Sequence, residues 1–156
     1  MKKIMMTVLA LSLALALTAC GGDNNAPPLY APSHVEKMAE AGAFSETLEE
    51  LDTDTAFALY RLADYGLNRE DLKESAALRS AGATCEEGAV LVFSDADKAK
   101  TAEDALTSYI AGQIEANTDY RPAEIPKLEN AWISRRGETL LLVVANDLDA
   151  AKEAVE

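Results

Sequence analysis

The stretch GAVLVFSDAD, residues 88–97, predicts a strand that leads directly into a long helix. Its first six residues are short, apolar and partly β-branched, a composition typical of a strand. Ser94 or Asp95 can then cap the first turn of the following helix. We expect this helix from about residue 97 to residue 116, because it carries an apolar stripe at helical spacing, formed by Ala102, Leu106, Tyr109, Ile110 and Ile114.

The C-terminal part of the chain predicts a β-hairpin and a last helix. Residues 130–135 and 139–146 have strand character, and Arg136 and Gly137 form the turn between them. Residues 140–145 are apolar on both faces, so this strand should be central in the sheet. Asp147 can cap a final helix that runs through residue 154.

The segments before residue 88 predict helices and one ambiguous element. Residues 33–41 form a short helix with Val35, Met38 and Ala39 on one side. A second helix runs from residue 52 or 53 to residue 65, and it carries an apolar stripe of Ala56, Leu59, Tyr60 and Ala63. Residues 44–51 are joined to neither helix. Residues 72–80 contain alanines that favour a helix, but they lie between a turn and a glycine-containing loop, so both helix and strand stay open.

Together these elements predict an α+β fold with a small antiparallel sheet of about three or four strands, packed against the long helix, with helices on its N-terminal side. The chain has 156 residues, which is the size of about one domain. We expect a single α+β domain at residues 33–156.

The N-terminus predicts a secretory signal peptide at residues 1–19. Lys2 and Lys3 form a positive n-region, and residues 4–17 form an apolar h-region within the usual signal-peptide range. A membrane-spanning helix needs about 20 apolar residues, and Gly21, Gly22 and Asp23 end the apolar run too early for that.

Leu17, Thr18, Ala19 and Cys20 resemble a bacterial lipobox, in which a cysteine thiol is alkylated with diacylglycerol and the signal is cut just before it. The alternative is an ordinary secretory peptide cleaved before an incidental cysteine. We expect lipidation at Cys20, a flexible Gly/Asn/Pro tether over residues 20–32, and attachment to the extracytoplasmic face of the cell membrane without a spanning helix. The membrane, contacted through the lipid anchor, is then the first expected partner.

The charge of the chain argues against nucleic acid as a partner. There are 27 acidic and 14 basic residues, for a formal net charge of −13. Such a surface repels phosphate backbones. Arg135 and Arg136 form a basic pair, but their position beside Gly137 is more typical of a turn than of a binding patch.

The titratable residues form no recognisable catalytic or metal-binding motif. His34 is the only histidine, so a Ser-His-Asp triad or a zinc-hydrolase site has almost no basis. Asp52 and Asp54 resemble the start of a calcium loop, but Thr55 and Ala56 break the EF-hand pattern. We interpret the two aspartates as capping and solvent-exposed groups, and we expect no metal and no cofactor.

Cys85, Glu86 and Glu87 are the other residues with chemical potential. Adjacent residues in a strand point to opposite faces, so Glu86 and Glu87 cannot flank one glycosidic bond, and we interpret them as charges in the loop before a strand. These carboxylates disfavour a thiolate at Cys85, which we interpret as a partly buried structural cysteine.

Tyr120, Pro122 and Trp132 are the candidate binding residues. Tyr120 beside Arg121 and Pro122 can stack on a flat ligand, although such a tyrosine more often closes the end of a helix–sheet core. Trp132 shares a strand face with Ser134, and it is a contact residue if that face is open and a core residue if it is covered.

Several segments resemble an uncharacterised domain-of-unknown-function family of small lipoproteins from clostridial and related Gram-positive bacteria. The resemblance covers roughly residues 33–155, through DYGLNREDL, EEGAVLVFSDAD, DYRP and LENAWISRRGETLLLVVANDLDAAKEA, and its strongest matches are Glu87, Val90, Phe93, Tyr120, Pro122 and Gly137. It implies an envelope location and favours a strand at residues 72–80. The family has no established activity to carry over.

We therefore expect a lipid-anchored binding or accessory module without catalytic activity, whose partner is an envelope protein or a small ligand. The alternative is a carboxylate-dependent envelope hydrolase. That alternative requires Glu87 and an acid from residues 46–54 to converge in one cleft.

Overall fold

A computed structural model describes residues 26–156, and these form an α+β fold, as predicted. Five strands make one antiparallel sheet: β1 Glu49–Leu51, β2 Leu72–Arg79, β3 Glu87–Phe93, β4 Trp132–Arg136 and β5 Thr139–Val144. Their order across the sheet is β1-β2-β3-β5-β4. The sheet therefore has one strand more than the three or four expected, because β1 is a three-residue edge strand too short to show a period of its own.

Five helices surround this sheet: α1 Ser33–Glu40, α2 Thr53–Leu59, α3 Ala96–Asn117, α4 Ile125–Glu129 and α5 Leu148–Glu153. Asp95 caps α3 by accepting a hydrogen bond from the backbone N–H of Lys98 at 2.9 Å, and Asp147 caps α5 in the same way through Ala150. The long helix and the last helix thus begin where the sequence predicted.

The second helix ends earlier than predicted. It was expected to reach residue 65, but α2 stops at Leu59, and a separate 3₁₀ turn occupies Leu62–Tyr65. Arg61 lies between them with a φ of 53°, in the left-handed region, which interrupts the helical path. Gly66, also left-handed, ends the 3₁₀ turn.

The central strand β3 is apolar on both faces because helices cover both sides of the sheet. Ala89, Leu91 and Phe93 pack toward α2, α3 and α4, on what we call the α3 face. Val90 packs toward α1 and α5, on what we call the α1 face. The side chains of strand β5 also alternate between the α3 face and the α1 face. The strand pairs with both β3 and β4, so it lies inside the sheet as predicted.

Residues 72–80 contain strand β2 rather than a helix. Ala76 belongs to the cluster on the α1 face, and Ala77 belongs to the cluster on the α3 face beside Ala56 of α2. Small side chains on both faces allow helices to pack closely on either side of this strand. The alanines that favoured a helix locally therefore serve helix–sheet packing, and the strand implied by the family resemblance is correct.

The packed part of the chain begins before residue 33. Tyr30 is only 2 % exposed. Its backbone N–H donates to Thr139 Oγ1 at 2.9 Å, and its hydroxyl donates to Ser134 Oγ at 2.7 Å. The end of the expected tether is thus held against the β4–β5 hairpin. Cys20 lies outside the described residues.

No helix within residues 26–156 combines the length and the apolar character needed to cross a bilayer.

Candidate functional site

Two adjacent carboxylates, Glu86 and Glu87, are buried at the start of β3, with 0 % and 2 % of their surface exposed. Glu86 lies in the loop before β3, as predicted, whereas Glu87 is the first residue of the strand, and the sequence analysis did not predict the burial of either carboxylate. Burying a carboxylate is costly unless donors replace the lost water. Both residues meet such donors, which come from segments distant in the sequence.

Glu87 accepts hydrogen bonds from two tyrosines. Tyr60, directly after α2, donates its hydroxyl to Glu87 Oε1 at 2.5 Å, and Tyr109 on α3 donates to Oε2 at 2.7 Å. The two rings pack edge to face with their centroids 5.2 Å apart. Arg79 on β2 places its Nε 3.6 Å from Glu87 Oε2, close enough for charge attraction but too far for a good hydrogen bond.

Burial raises the pKa of Glu87, while the hydroxyls of Tyr60 and Tyr109 and the charge of Arg79 act in the opposite direction. Burial also raises the pKa of each tyrosine, and the nearby Glu87 carboxylate raises it further. Both phenols therefore keep their protons at neutral pH. They remain hydrogen-bond donors to Glu87.

Glu86 is held by a different set of groups. Ser45, after α1, donates its backbone N–H to Oε2 at 2.7 Å and its hydroxyl to Oε1 at 2.6 Å. Lys127 on α4 donates to Oε1 at 2.7 Å and also contacts Glu124 at 3.1 Å. Glu124 in turn accepts the backbone N–H of Cys85 at 2.9 Å. Glu86 thus joins three segments of the chain through charged and neutral hydrogen bonds.

The β2–β3 loop, residues 80–86, is organised by short hydrogen bonds. Ser80 Oγ accepts the backbone N–H groups of Gly82 and Thr84, while the hydroxyls of Ser80 and Thr84 both donate to Glu46 Oε1. These two hydroxyls hold the pKa of Glu46 below its ordinary value. Arg121 donates to the carbonyl of Thr84 at 3.2 Å from the opposite side.

A groove lies between α3 and the 3₁₀ turn at Leu62–Tyr65, and we call it the aromatic groove. Its volume is about 470 Å³. The rings of Tyr60, Tyr65 and Tyr109 line it together with Ala105 and Gly112 of α3. Small residues on the helix leave the space open, and the hydroxyls of two of the tyrosines are directed to Glu87.

A smaller cavity of about 190 Å³ lies beside it, and we call it the polar pocket. Its lining includes Arg79, Cys85, Glu87, Gln113 and Arg121. Gln113 lines both the polar pocket and the aromatic groove. Gln113 is therefore common to the two linings, and Glu87 in the polar pocket accepts hydrogen bonds from Tyr60 and Tyr109 of the aromatic groove.

Arg61 stands at the rim of the aromatic groove in an unusual backbone conformation. Within residues 26–156, Arg61 is the one non-glycine residue with a positive φ. Its guanidinium pairs with Asp64 at 2.6 Å, and both side chains are largely exposed. Backbone strain of this kind, on the order of 1–3 kcal/mol, is often retained beside functional sites.

The sequence-predicted binding residues do not lie together. Tyr120 is 87 % exposed, so the interpretation that it closes the helix–sheet core was wrong. Pro122 begins an exposed 3₁₀ turn directly after it. Trp132 is half-buried on the α1 face, where its ring packs edge to face against Tyr30 at 6.4 Å. Tyr120 follows α3 on the opposite side of the sheet.

Sequence reasoning missed the residues that line the two cavities. Tyr60 and Tyr109 were recognised only as apolar members of helical stripes, and Glu87 only as a loop charge. The available signal was the polar end of each tyrosine, because a buried phenol usually needs a hydrogen-bond partner. Arg79 and Gln113 gave no such signal.

The remaining candidate groups have structural contacts. Asp52 caps α2 by accepting the backbone N–H of Thr55 at 2.8 Å, as predicted, and Asp54 pairs with Arg69. Cys85 is half-buried and is a free cysteine within the part of the chain that the structure describes. Across residues 26–156, no three His, Cys, Asp or Glu side chains come together in a group that could hold a metal ion.

The fold and the cavities define a small α+β domain in which a long helix and an antiparallel sheet enclose a buried carboxylate beside two pockets. Residues 46–145 match the family model described as Domain of unknown function (DUF4358), and the chain belongs to this family. The matched region contains all five strands and the cavity-lining residues named above. Comparisons with curated proteins and with solved structures found no match.

Proposed function

We propose that this protein is a lipoprotein anchored through Cys20 on the extracytoplasmic face of the membrane, where it binds a small ligand without chemical conversion. The anchor is supported by the lipobox at residues 17–20 and the h-region before it. A family of small lipoproteins from clostridial and related Gram-positive bacteria is consistent with this placement. Two acyl chains are enough for stable attachment to a bilayer.

The binding role depends on one observation: both oxygens of Glu87 are occupied by Tyr60 and Tyr109, whose rings line the aromatic groove. These hydrogen bonds fix the rings in place before a ligand arrives, which reduces the entropy cost of binding. The groove volume of about 470 Å³ falls within the range of small-molecule sites. The groove thus replaces Tyr120, Pro122 and Trp132 as the proposed binding surface.

The same contacts favour binding over hydrolysis. A hydrolase of the kind considered above would use Glu87 with an acid from residues 46–54. Glu46, in that segment, accepts hydrogen bonds from Ser80 and Thr84 and is not among the residues that line the polar pocket. Glu87 has no oxygen left without a donor. A carboxylate that is held on both oxygens is better suited to shape a site than to transfer a proton.

The groove is tested by blocking it. Gly112 lines the groove, and a Cβ at this position meets no atom within 4 Å, so Gly112→Phe should fill the space without disturbing α3. Ala111→Phe is the matched control, because Ala111 is exposed on the same helix and does not line the groove. Indole is the probe, and amide chemical shifts of the full-length protein in non-ionic detergent are the readout.

We expect indole at millimolar concentration to shift the amide signals of Tyr65 and Gly112. Ala111→Phe should keep this response and Gly112→Phe should lose it. An unchanged response in Gly112→Phe, or shifts confined to residues outside the groove, would contradict the proposed site.

The anchor is tested separately by metabolic labelling with an alkyne fatty acid. Wild type and Cys85→Ala should both carry the label, and Cys20→Ala should carry none. Cys85→Ala is the matched control because it removes the other cysteine of the chain. Equal labelling of wild type and Cys20→Ala would rule out lipidation at Cys20.

A further inference from the structure

We propose that the polar pocket binds the carboxylate of a small monoanion whose apolar part lies in the aromatic groove. This inference rests on the proposed binding function and names the class of ligand. It is carried by three features of the pocket: the hydrogen-bond donors it leaves unused, the unpaired charge of Arg121, and the lining residue that it shares with the groove.

The unused hydrogen-bond groups of the pocket are donors. Arg121 is half-buried, and the one hydrogen bond that its guanidinium makes among residues 26–156 goes to the backbone carbonyl of Thr84. It has no carboxylate within ion-pair distance in this part of the chain. A guanidinium offers five N–H donors, so most of those of Arg121 remain available to a ligand.

Gln113 and Arg79 add further donors. The side-chain oxygen of Gln113 accepts a long contact from Asn117 at 3.5 Å, whereas its NH₂ group donates to no residue within the described range. The Arg79 guanidinium lies 3.6 Å from Glu87 and is also close to the Tyr109 hydroxyl, so part of its five N–H donors remains for a ligand. An oxyanion is the ligand group that can accept from two guanidinium groups and an amide at once.

The acceptors of the pocket are already in use. Glu87 accepts from Tyr60 and Tyr109, and Glu86 accepts from Ser45 and Lys127. A ligand that brings only donors would therefore find few partners there. A ligand that brings acceptors would complete the contacts that the pocket leaves open.

The charge of the lining favours a monoanion over a dianion. Arg79 faces Glu87, and Glu86 pairs with Lys127, which it shares with Glu124. Arg121 is therefore the one cation of the pocket lining without a carboxylate partner among residues 26–156. A monoanionic carboxylate matches this single unpaired charge, whereas a phosphate dianion would exceed it and be repelled by a chain whose net charge is −13.

The geometry of the two cavities sets the shape of the ligand. The polar pocket, at about 190 Å³, accommodates a carboxylate and few further atoms. Gln113 lines both cavities, so the proposed ligand, with its carboxylate at Arg121, would lie beside Gln113 with its tail directed to the aromatic groove. The ligand class is thus a small carboxylic acid with an apolar or aromatic tail.

The test compares 3-phenylpropionate with its neutral amide, 3-phenylpropionamide, and with inorganic phosphate. Full-length protein in non-ionic detergent is titrated, and the side-chain signals of Gln113, Arg79 and Arg121 are followed by NMR. We expect the acid to shift these signals and to bind about tenfold more tightly than the amide, a difference typical of one charged contact. Phosphate should bind more weakly than the acid.

Two variants test the contacts of the carboxylate, and a third is the control. Arg121→Gln should weaken binding of the acid about tenfold and leave binding of the amide unchanged, and Gln113→Leu should weaken it less. Arg135→Gln is the matched control, because Arg135 is exposed and pairs with Glu103 away from the pocket.

Equal affinity for the acid and the amide would overturn the carboxylate assignment, and so would an unchanged affinity for the acid in Arg121→Gln. Tighter binding of phosphate would also overturn it. If the amide still shifts Tyr65 and Gly112 in those cases, the groove proposal stands alone. If neither compound shifts any residue of the two cavities, both proposals are wrong.

Discussion

Glu86 and Glu87 are neighbours in the sequence and are both buried, yet their surroundings differ in kind. Glu86 meets a lysine and a serine that join three segments of the chain. Glu87 meets two neutral tyrosines that line a groove, with an arginine at longer range. The burial of a carboxylate therefore does not by itself indicate a functional site. The groups that donate to the carboxylate, and the presence of a cavity beside them, distinguish a structural carboxylate from one that belongs to a binding site.

The largest expected effect comes from leaving Glu86 without its cation. Lys127→Met removes the ammonium that contacts Glu86 at 2.7 Å, while the carboxylate stays fully buried. We expect the free energy of unfolding to fall by about 3 kcal/mol, the lower end for a broken buried pair. Urea denaturation measures this change.

The matched control for Lys127→Met is Arg135→Met, which removes a partly exposed ion pair with Glu103 and should cost less than about 1 kcal/mol. Similar costs for the two variants would mean that Glu86 is not a structural centre, and the comparison with Glu87 would fail.

The next effect concerns Glu87. Tyr60→Phe removes the hydroxyl that donates to Glu87 Oε1 and leaves that oxygen buried without a donor. We expect a loss of about 2 kcal/mol, as for other hydrogen bonds to charged groups. Tyr109→Phe should cost less, because Tyr109 is only half-buried and water can reach the vacated position.

A double-mutant cycle of Tyr60→Phe with Glu87→Gln sharpens this result. Both changes act on one contact, so their combined cost should be smaller than the sum of the separate costs. Strict additivity would show that the hydrogen bond contributes nothing to stability.

The third effect is a pH dependence of stability that comes from Glu87. Because the pKa of Glu87 is raised in the folded state, folding favours its protonated form. Its contribution to stability is therefore complete below the ordinary glutamate pKa and is lost as pH rises through the folded-state value. Glu46 has a lowered pKa, so its contribution has the opposite sign and is lost as pH falls.

Urea denaturation of wild type and Glu87→Gln at a series of pH values isolates the contribution of Glu87 to the free energy of unfolding. The stability of wild type relative to Glu87→Gln should decrease as pH rises above the ordinary glutamate value. A difference that stays constant, or that increases with pH, would show that folding does not favour the protonated form of Glu87.

The smallest effect is expected at Tyr120. Its side chain is 87 % exposed, so Tyr120→Ser should change the free energy of unfolding by no more than about 0.5 kcal/mol. It should also leave the indole response of the aromatic groove unchanged. A loss of that response would return Tyr120 to the binding surface and weaken the case for Glu87.

Local patterns were sufficient for the elements that their own residues define. The strand–helix join at residues 88–97 and the hairpin at residues 130–146 follow from periodicity, a capping aspartate and a turn glycine. The end of α2 was missed because a left-handed arginine has no sequence signal. Strand β1 was missed because it pairs with residues of β2 almost thirty positions away.

The site could not be predicted in the same way. Glu86 and Glu87 depend on Ser45, Lys127, Tyr60 and Tyr109, which lie 22 to 41 residues away in the sequence. A single sequence does not show which distant residues meet in the fold, so Glu86 and Glu87 were interpreted only as charges in the loop before a strand. Tyr60 and Tyr109 were predicted as members of apolar stripes, and both pack in the cluster on the α3 face, so only their partner was missing.

The contact of Tyr30 with the β4–β5 hairpin limits the distance between the folded domain and a bilayer that holds the proposed anchor. Since Tyr30 is held by Thr139 and Ser134, only the nine residues between it and Cys20 can separate the folded domain from the bilayer. A fully stretched chain of that length reaches about 35 Å. With lipid on Cys20, the hairpin end of the domain stays near the headgroups, and the search volume for a ligand is a thin layer above the membrane surface.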